Sequence, residues 1–286
     1  MDTYNDIYLG VRRRLRAAGI IAHDLEARLI VAHAAGKTRE ELLNFSRYFV
    51  TDNAIKQDVE DMMKRRMEGE PVAYIVGEWE FYSLPLAVNE SVLIPRVDTE
   101  LLAEEAIKTM KQRRDKPRLL DLGAGCGAIG LAVAANVPDC RVVLADNSEQ
   151  ALAICRINML RNRLSRNVTA IKADIMENPP ALLGTFDVIV SNPPYIPTFQ
   201  LINLDPGVRD YEPVTALDGG PDGLDFYRTI AKNWQTLLKP GGILAVECGE
   251  GQAKDVCEIM ENSGFKSIKK LLDTLGIERV ILGTKR

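Results

Sequence analysis

The chain has 286 residues, 46% of them apolar and 27% charged, an ordinary globular composition for about two domains that excludes disordered, collagen-like and coiled-coil classes. A net charge of −4 and a pI near 5.5 supply no basic footprint for nucleic acid. No apolar run reaches the roughly 18 residues a membrane helix needs, and the N-terminus lacks a secretory signal pattern.

Five cysteines (Cys126, Cys140, Cys155, Cys248, Cys257) form no CxxC pair, which fits reduced thiols in the cytoplasm better than a disulfide framework. Two isolated histidines, His23 and His33, argue against a metal centre or a histidine-based triad. Residues 1–70 balance twelve Lys and Arg against twelve Asp and Glu. Within them, the runs Arg12–Arg14 and Lys64–Arg66 read as solvated helix faces, with contact to an anionic partner as the alternative.

Residues 3–68 carry apolar side chains at helical spacing: Ile7, Leu9, Val11, Leu15 and Ile20, then Leu25, Leu29, Ile30 and Ala32, then Leu42, Leu43 and Phe45. About four short helices are expected, making residues 1–72 a small helical bundle. The segment 73–93 is rich in β-formers, among them Tyr74, Ile75, Val76, Trp79, Phe81, Tyr82 and Val88. It reads as a hairpin linker, with Ser83 and Pro85 available for the turn. A further helix is expected after Pro95, capped by Asp98 or Thr99.

From residue 94 to 286 the pattern alternates strand and helix. Strands are predicted at 118–122, 141–146, 168–172, 186–191 and 242–248, with helices near 129–136, 148–161 and 226–238. This rhythm implies an open parallel sheet covered on both faces. Two closely spaced strands, 267–272 and 278–283, follow another helix and are expected to pair as an antiparallel hairpin. The connection 196–225, with several Pro and Gly, reads as functional rather than disordered.

Asp121-Leu122-Gly123-Ala124-Gly125-Cys126-Gly127 sits between the first of these strands and its helix. Glycines there permit a tight turn and close approach of a ligand to the backbone, at the carboxyl edge where open parallel sheets bind ligands. Asp146 ends the next strand, where a carboxylate can accept both hydroxyls of a ribose. A nucleoside-containing cofactor follows. The fingerprint Gly123-x-Gly125-x-x-Ala128 alone allows a dinucleotide. Asp121 favours S-adenosylmethionine, because a carboxylate can reach a cationic amino group and would repel a pyrophosphate. Asp174 and Ile175, after the third strand, suit the adenine amino group and ring face; a helix cap is the plain alternative for Asp174.

Ser191-Asn192-Pro193-Pro194-Tyr195 follows the fourth strand. Two prolines remove two N–H donors and leave carbonyl oxygens as acceptors. The Asn192 side chain adds another acceptor and Tyr195 an aromatic wall. The set suits a planar substrate bearing an NH2 group. Two acceptors on its hydrogens would aim the nitrogen at a methyl sulfonium and stabilise the positive charge that develops there.

Several stretches together resemble one family over essentially the whole chain. They are Val92-Leu93-Ile94-Pro95-Arg96 with Thr99-Glu100, the loop 121–127, the stretch 192–195, and Glu212-Pro213. Further on come Ala216-Leu217-Asp218-Gly219-Gly220, Asp222-Gly223-Leu224 and Glu247. The sequence resembles the peptide chain release factor glutamine methyltransferases, the HemK/PrmC family. The resemblance implies a Rossmann-like class I methyltransferase sheet plus an N-terminal helical bundle that grips the release factor. It implies methylation of the side-chain amide nitrogen of the glutamine in a Gly-Gly-Gln motif, in translation termination, leaving S-adenosylhomocysteine.

By position, the resemblance implies cofactor contacts from Gly123 to Gly127, Asp146, Ile175 and Asn192, beside Asp121 and Asp174 as read above. Substrate contacts would come from Asn192, Pro193, Pro194 and Tyr195, with Asn192, Pro193 and Tyr195 catalytic. Val97-Asp98 and Cys126 depart from the family's usual residues, and Arg96 is assigned no role. A glutamine methyltransferase of a ribosomal protein and an amino-methyltransferase of RNA or DNA bases are the alternatives. A monomer without membrane or stable nucleic-acid partners is expected.

Overall fold

The computed structural model describes residues 2–113 and 115–286. The chain divides into two compact units: residues up to Gly77 together with Pro206–Tyr211, and Glu78–Asp205 together with Glu212–Arg286.

The first unit is helical, with α1 (Tyr4–Ala17), α2 (His23–Ala34), α3 (Arg39–Asn44), α4 (Asn53–Met67) and α5 (Val72–Val76). Thr3 and Thr38 start α1 and α3 with capping boxes closed by Asp6 and Glu41. Helix α2 lies at the centre, packing on α1, α3, α4 and α5 through Ala27, Ile30 and Val31, all fully buried. Leu9, Leu25, Leu43 and Phe45, expected on the apolar faces, stay substantially exposed. The basic runs stay largely exposed, as solvated helix faces would, and four of their arginines also meet carboxylates. Arg12 pairs with Asp24, Arg14 with Glu60, Arg65 with Glu70 and Arg66 with the buried Glu26. Residues 73–76 are not part of a hairpin. Pro71 opens the helical turn α5 and Gly77 closes it at φ +69°, and all five residues of α5 are buried. A fully buried short apolar run does not reveal its period, so helix and strand look alike in sequence.

The second unit opens with the hairpin β1 (Glu78–Phe81) and β2 (Leu84–Ala87). Its two-residue loop is Tyr82-Ser83, both at positive φ (49° and 62°), as the strand twist requires. Pro85 lies within β2 and not in the turn. A seven-stranded sheet follows: β3 (Arg118–Leu122), β4 (Arg141–Asp146), β5 (Val168–Lys172), β6 (Phe186–Ser191), β7 (Leu238–Glu247), β8 (Lys266–Leu272) and β9 (Glu278–Thr284). Their order is β5-β4-β3-β6-β7-β9-β8. The first five are parallel, and β9 enters antiparallel between β7 and β8. This is the Rossmann-like sheet with an antiparallel C-terminal hairpin. Strands β3 and β6 are buried almost throughout because helices cover both faces. The helices between them are α6 (Glu100–Lys111), α7 (Ala128–Asn136) and α8 (Glu149–Arg161), followed by Asp225–Lys232 and Ala253–Asn262.

Three boundaries differ from expectation. Strand β7 starts at Leu238, because Phe186 pairs with Leu238 before the register jumps to Val188 with Ile243 and the intervening Pro-Gly-Gly bulges out. The helix expected at 226–238 ends at Lys232 and tightens into a 3-10 turn over Trp234–Leu237. There the indole N–H of fully buried Trp234 donates to the Ile175 carbonyl at 2.8 Å. Neither Asp98 nor Thr99 caps α6. Thr99 is buried and its hydroxyl is engaged elsewhere.

Candidate active site

The chain runs from β3 outward to β4 and β5, then returns past β3 to β6 and β7. The carboxyl end of β3 is therefore the switch point where such sheets bind ligands. A cleft of about 970 Å³, including its open mouth, lies there.

The glycine loop forms one wall. Gly123, Gly125 and Gly127 all have left-handed φ (68°, 56° and 86°), which a side chain rarely tolerates. The N–H groups of Gly123 and Ala124 both donate to the Ala145 carbonyl at the end of β4. The Gly125 N–H donates to Asp146 Oδ2 at 2.8 Å, and Ser148 N–H to Oδ1 at 2.9 Å. Asp146 thus braces the loop and lines the cleft. Burial raises its carboxyl above the ordinary range. Asn158, on α8 and fully buried, holds the loop from behind. It donates to the Cys126 and Ala87 carbonyls and accepts from the Ala87 N–H.

Asp121 ends up beneath the loop, 1% exposed. Its Oδ2 accepts the Gly130 N–H at 2.8 Å, while Oδ1 has no partner among the described residues. Burial pushes this carboxyl up to about 7, and the charge of Asp146 adds to the shift. Gly130, one turn into α7, went unassigned in the sequence. A Cβ there would meet Leu144 Cδ2 at 2.3 Å and Asp121 Oδ2 at 3.1 Å. A fourth glycine inside a helix was the available signal.

Of the residues singled out in sequence, Gly123, Ala124, Gly125, Cys126, Asp146, Asp174, Ile175, Asn192 and Pro194 line the cleft. Asp121, Gly127, Pro193 and Tyr195 are not among its lining residues. Burial pushes the Cys126 thiol up to about 12, far from a nucleophile's range. Asp174 Oδ1 accepts the Met176 N–H, closing its own turn, and Ile175 packs 3.3 Å from a Cβ position on Gly123.

Asn192 follows β6. Its Nδ2 donates to Thr99 Oγ1 at 3.2 Å, and its amide also faces the Glu247 carboxyl. No donor among the described residues reaches Asn192 Oδ1. The turn is braced from outside by a segment that sequence marked without explaining. Ile196 bridges Asp218, Gly219 N–H donates to the Ile196 carbonyl at 2.8 Å, and Gln252 Nε2 donates to the Tyr195 carbonyl at 2.9 Å. A Cβ on Gly219 would come within 2.8 Å of the Pro194 oxygen. Arg96, on the rim, pairs with Glu212, whose other oxygen accepts the Ile94 N–H at 3.1 Å. This pair ties Ile94–Arg96 to Glu212-Pro213. Among the described residues, no group of His, Cys, Asp and Glu could hold a metal, and no helix is long and apolar enough to cross a membrane.

A parallel sheet with a glycine loop at its switch point and an Asn-Pro-Pro-Tyr turn beside it defines a Rossmann-like methyltransferase. The Methyltransferase small domain family matches residues 97–201, and the PrmC N-terminal domain family matches residues 7–77. A methyltransferase from Pyrococcus furiosus shares the fold, with TM-score 0.52 at 20% identity over 79% of this chain and 98% of that one. The release factor glutamine methyltransferase of Clostridium acetobutylicum is 37% identical over 91% of this chain and 90% of its own. That of Geobacter sulfurreducens is 43% identical over 78% of this chain and 76% of its own. The chain belongs to the release factor glutamine methyltransferase family.

Proposed function

We propose that this enzyme methylates the side-chain amide nitrogen of the glutamine in the Gly-Gly-Gln motif of peptide chain release factors, with S-adenosylmethionine as donor. The observation that carries the reading is Asn192. It lines the cleft with its amide nitrogen engaged by Thr99 and its carbonyl oxygen free of donors. A primary amide presented there meets an acceptor of the right polarity. No donor among the described residues reaches the Pro193 carbonyl, a second acceptor of the same turn.

The residues present fit the cofactor. The buried, unpartnered Asp121 Oδ1 suits a cationic amino group. Asp146 suits ribose hydroxyls, and the glycine loop leaves room for close approach. Asp174 and Ile175 suit the adenine. When bound, the cofactor supplies an electrophilic methyl on a sulfonium. Asn192 and the Pro193 carbonyl accept the two amide hydrogens of the substrate, which raises electron density on the nitrogen and holds it in line. The same acceptors stabilise the charge that develops on that nitrogen. No side-chain base is required, because the proton leaves to water after transfer. The N-terminal helices grip the release factor through exposed apolar side chains such as Leu43, Tyr48 and Phe49.

Asp121 makes cofactor affinity depend on pH. With its carboxyl near 7, it is protonated at pH 6 and ionised at pH 8, and only the ionised form pairs with an ammonium. Affinity therefore rises with pH, by up to about tenfold per unit below 7, and falls again above about 8 as an α-amino group loses its proton. Calorimetry across this range is expected to show the rising limb in the wild type and not in Asp121→Asn. An equal rise in both would remove Asp121 from the site.

Methyl transfer from labelled S-adenosylmethionine to a purified release factor, with mass spectrometry of the Gly-Gly-Gln peptide, tests the whole reading. One added methyl on that glutamine, absent in a Gln→Ala factor, is expected. Tight cofactor binding without transfer would redirect the substrate to a ribosomal protein or RNA.

A further inference from the structure

Glu247 is the last residue of β7, 2% exposed, with Oε2 unpartnered among the described residues. Leaving a carboxyl buried in this way is costly unless it does something for its neighbours. Its polar neighbours are the Thr99 hydroxyl and the Asn192 amide, which come from the α6 entry and the end of β6, and the charges of Arg279 and Asp98 also reach it. Thr99 lines the cleft, whereas Glu247 sits behind it.

An amide side chain has two ends of nearly equal size, so packing alone does not set which one faces a substrate. Here the hydrogen bonds set it. Burial pushes the Glu247 carboxyl up to about 7; in its ionised form it only accepts, and the Thr99 hydroxyl that faces it then turns its single proton that way. Thr99 Oγ1 is then left with lone pairs alone, and the Asn192 end that meets it must be the NH2. With Glu247 ionised the order runs from Asn192 to Thr99 to Glu247, and the Asn192 NH2 also faces that carboxyl directly.

We propose that Glu247 is a positioning residue which, through Thr99, fixes the Asn192 amide with its carbonyl oxygen turned to the substrate nitrogen. The proposal rests on the reading of Asn192 as the substrate's acceptor. Without the carboxylate, the hydroxyl and the amide can both reverse, and the substrate NH2 would then meet another NH2. Glu247 touches neither substrate nor cofactor, so its loss falls on turnover and spares cofactor binding.

The test is steady-state turnover of a purified release factor, with cofactor affinity by calorimetry and thermal midpoint alongside. Glu247→Gln offers a donor where only an acceptor stood, and Thr99→Val removes the relay with little change in shape. Each is expected to lower kcat by about 10- to 100-fold, with KM and cofactor Kd within about twofold. Thr99→Ser, which keeps the hydroxyl, is expected to recover most of the turnover lost in Thr99→Val. The double variant is expected to be no worse than the poorer single one, because both break one chain of bonds.

Wild-type kcat in Glu247→Gln and Thr99→Val, with Asn192→Ala inactive, would overturn the relay and leave the acceptor reading standing. Losses that multiply in the double variant would also overturn the relay. Normal turnover in Asn192→Ala would overturn both readings.

Discussion

Asn192→Ala is expected to lower kcat by about 10²- to 10³-fold while cofactor affinity stays within about threefold. The cofactor keeps the glycine loop, Asp146 and Ile175 as its frame, none of which bonds to Asn192. What disappears is one of two acceptors on the substrate's NH2 hydrogens. Asn192→Asp is expected to be as poor, since a carboxylate cannot donate to Thr99 and would stand against Glu247. Kinetics on a release factor, with calorimetry of the cofactor, separates the two effects. Turnover near wild type in Asn192→Ala would end the acceptor role.

Gly223→Ala is expected to cost about 2–4 kcal/mol of stability and most of the activity. At φ +77° an added Cβ would stand 2.3 Å from the Tyr195 carbonyl oxygen and 2.7 Å from Gln252 Nε2. Those two atoms form the hydrogen bond that holds the turn after Pro194, so the collision acts on the turn that carries Asn192 and Pro193. Gly251→Ala is the matched control. It has φ +84° with nothing within 4 Å of the added carbon, so it bears backbone strain of only about 1–2 kcal/mol. Urea unfolding and turnover of both variants decide the point. If Gly223→Ala were as mild as the control, the outer segment would not brace the turn.

The parallel sheet was legible because its strands are short apolar runs that each end in a polar or glycine signal. Strands β3 to β6 begin and end where the pattern says. The glycine loop, Asp146 and the Asn-Pro-Pro-Tyr turn were legible for a related reason. Each follows a strand directly, so local sequence places it at the sheet's carboxyl edge. The partners that tune these groups were not legible. Thr99 lies 93 residues from Asn192, and a lone threonine before a helix reads as a cap. Glu247 ends an apolar strand, where a carboxylate looks like a terminus. Asn158 sits in the middle of a helix with nothing local to mark its three bonds. Gly219 and Gly223 carry a match to relatives, but their tight approach to Pro194 and Tyr195 exists only once the chain has folded back. The same limit hid α5, whose side chains are buried on every side, and the pairing of Glu26 with Arg66.

The helical unit at the N-terminus pairs part of its positive charge internally. Four of its arginines, Arg12, Arg14, Arg65 and Arg66, already face carboxylates of the same unit. A polyanion gains affinity by shedding condensed counterions onto unpaired cationic side chains. A guanidinium held by a carboxylate offers little of that exchange. What the unit presents outward includes Leu43, Tyr48 and Phe49, all more than half exposed, and attraction built on such groups changes little with ionic strength.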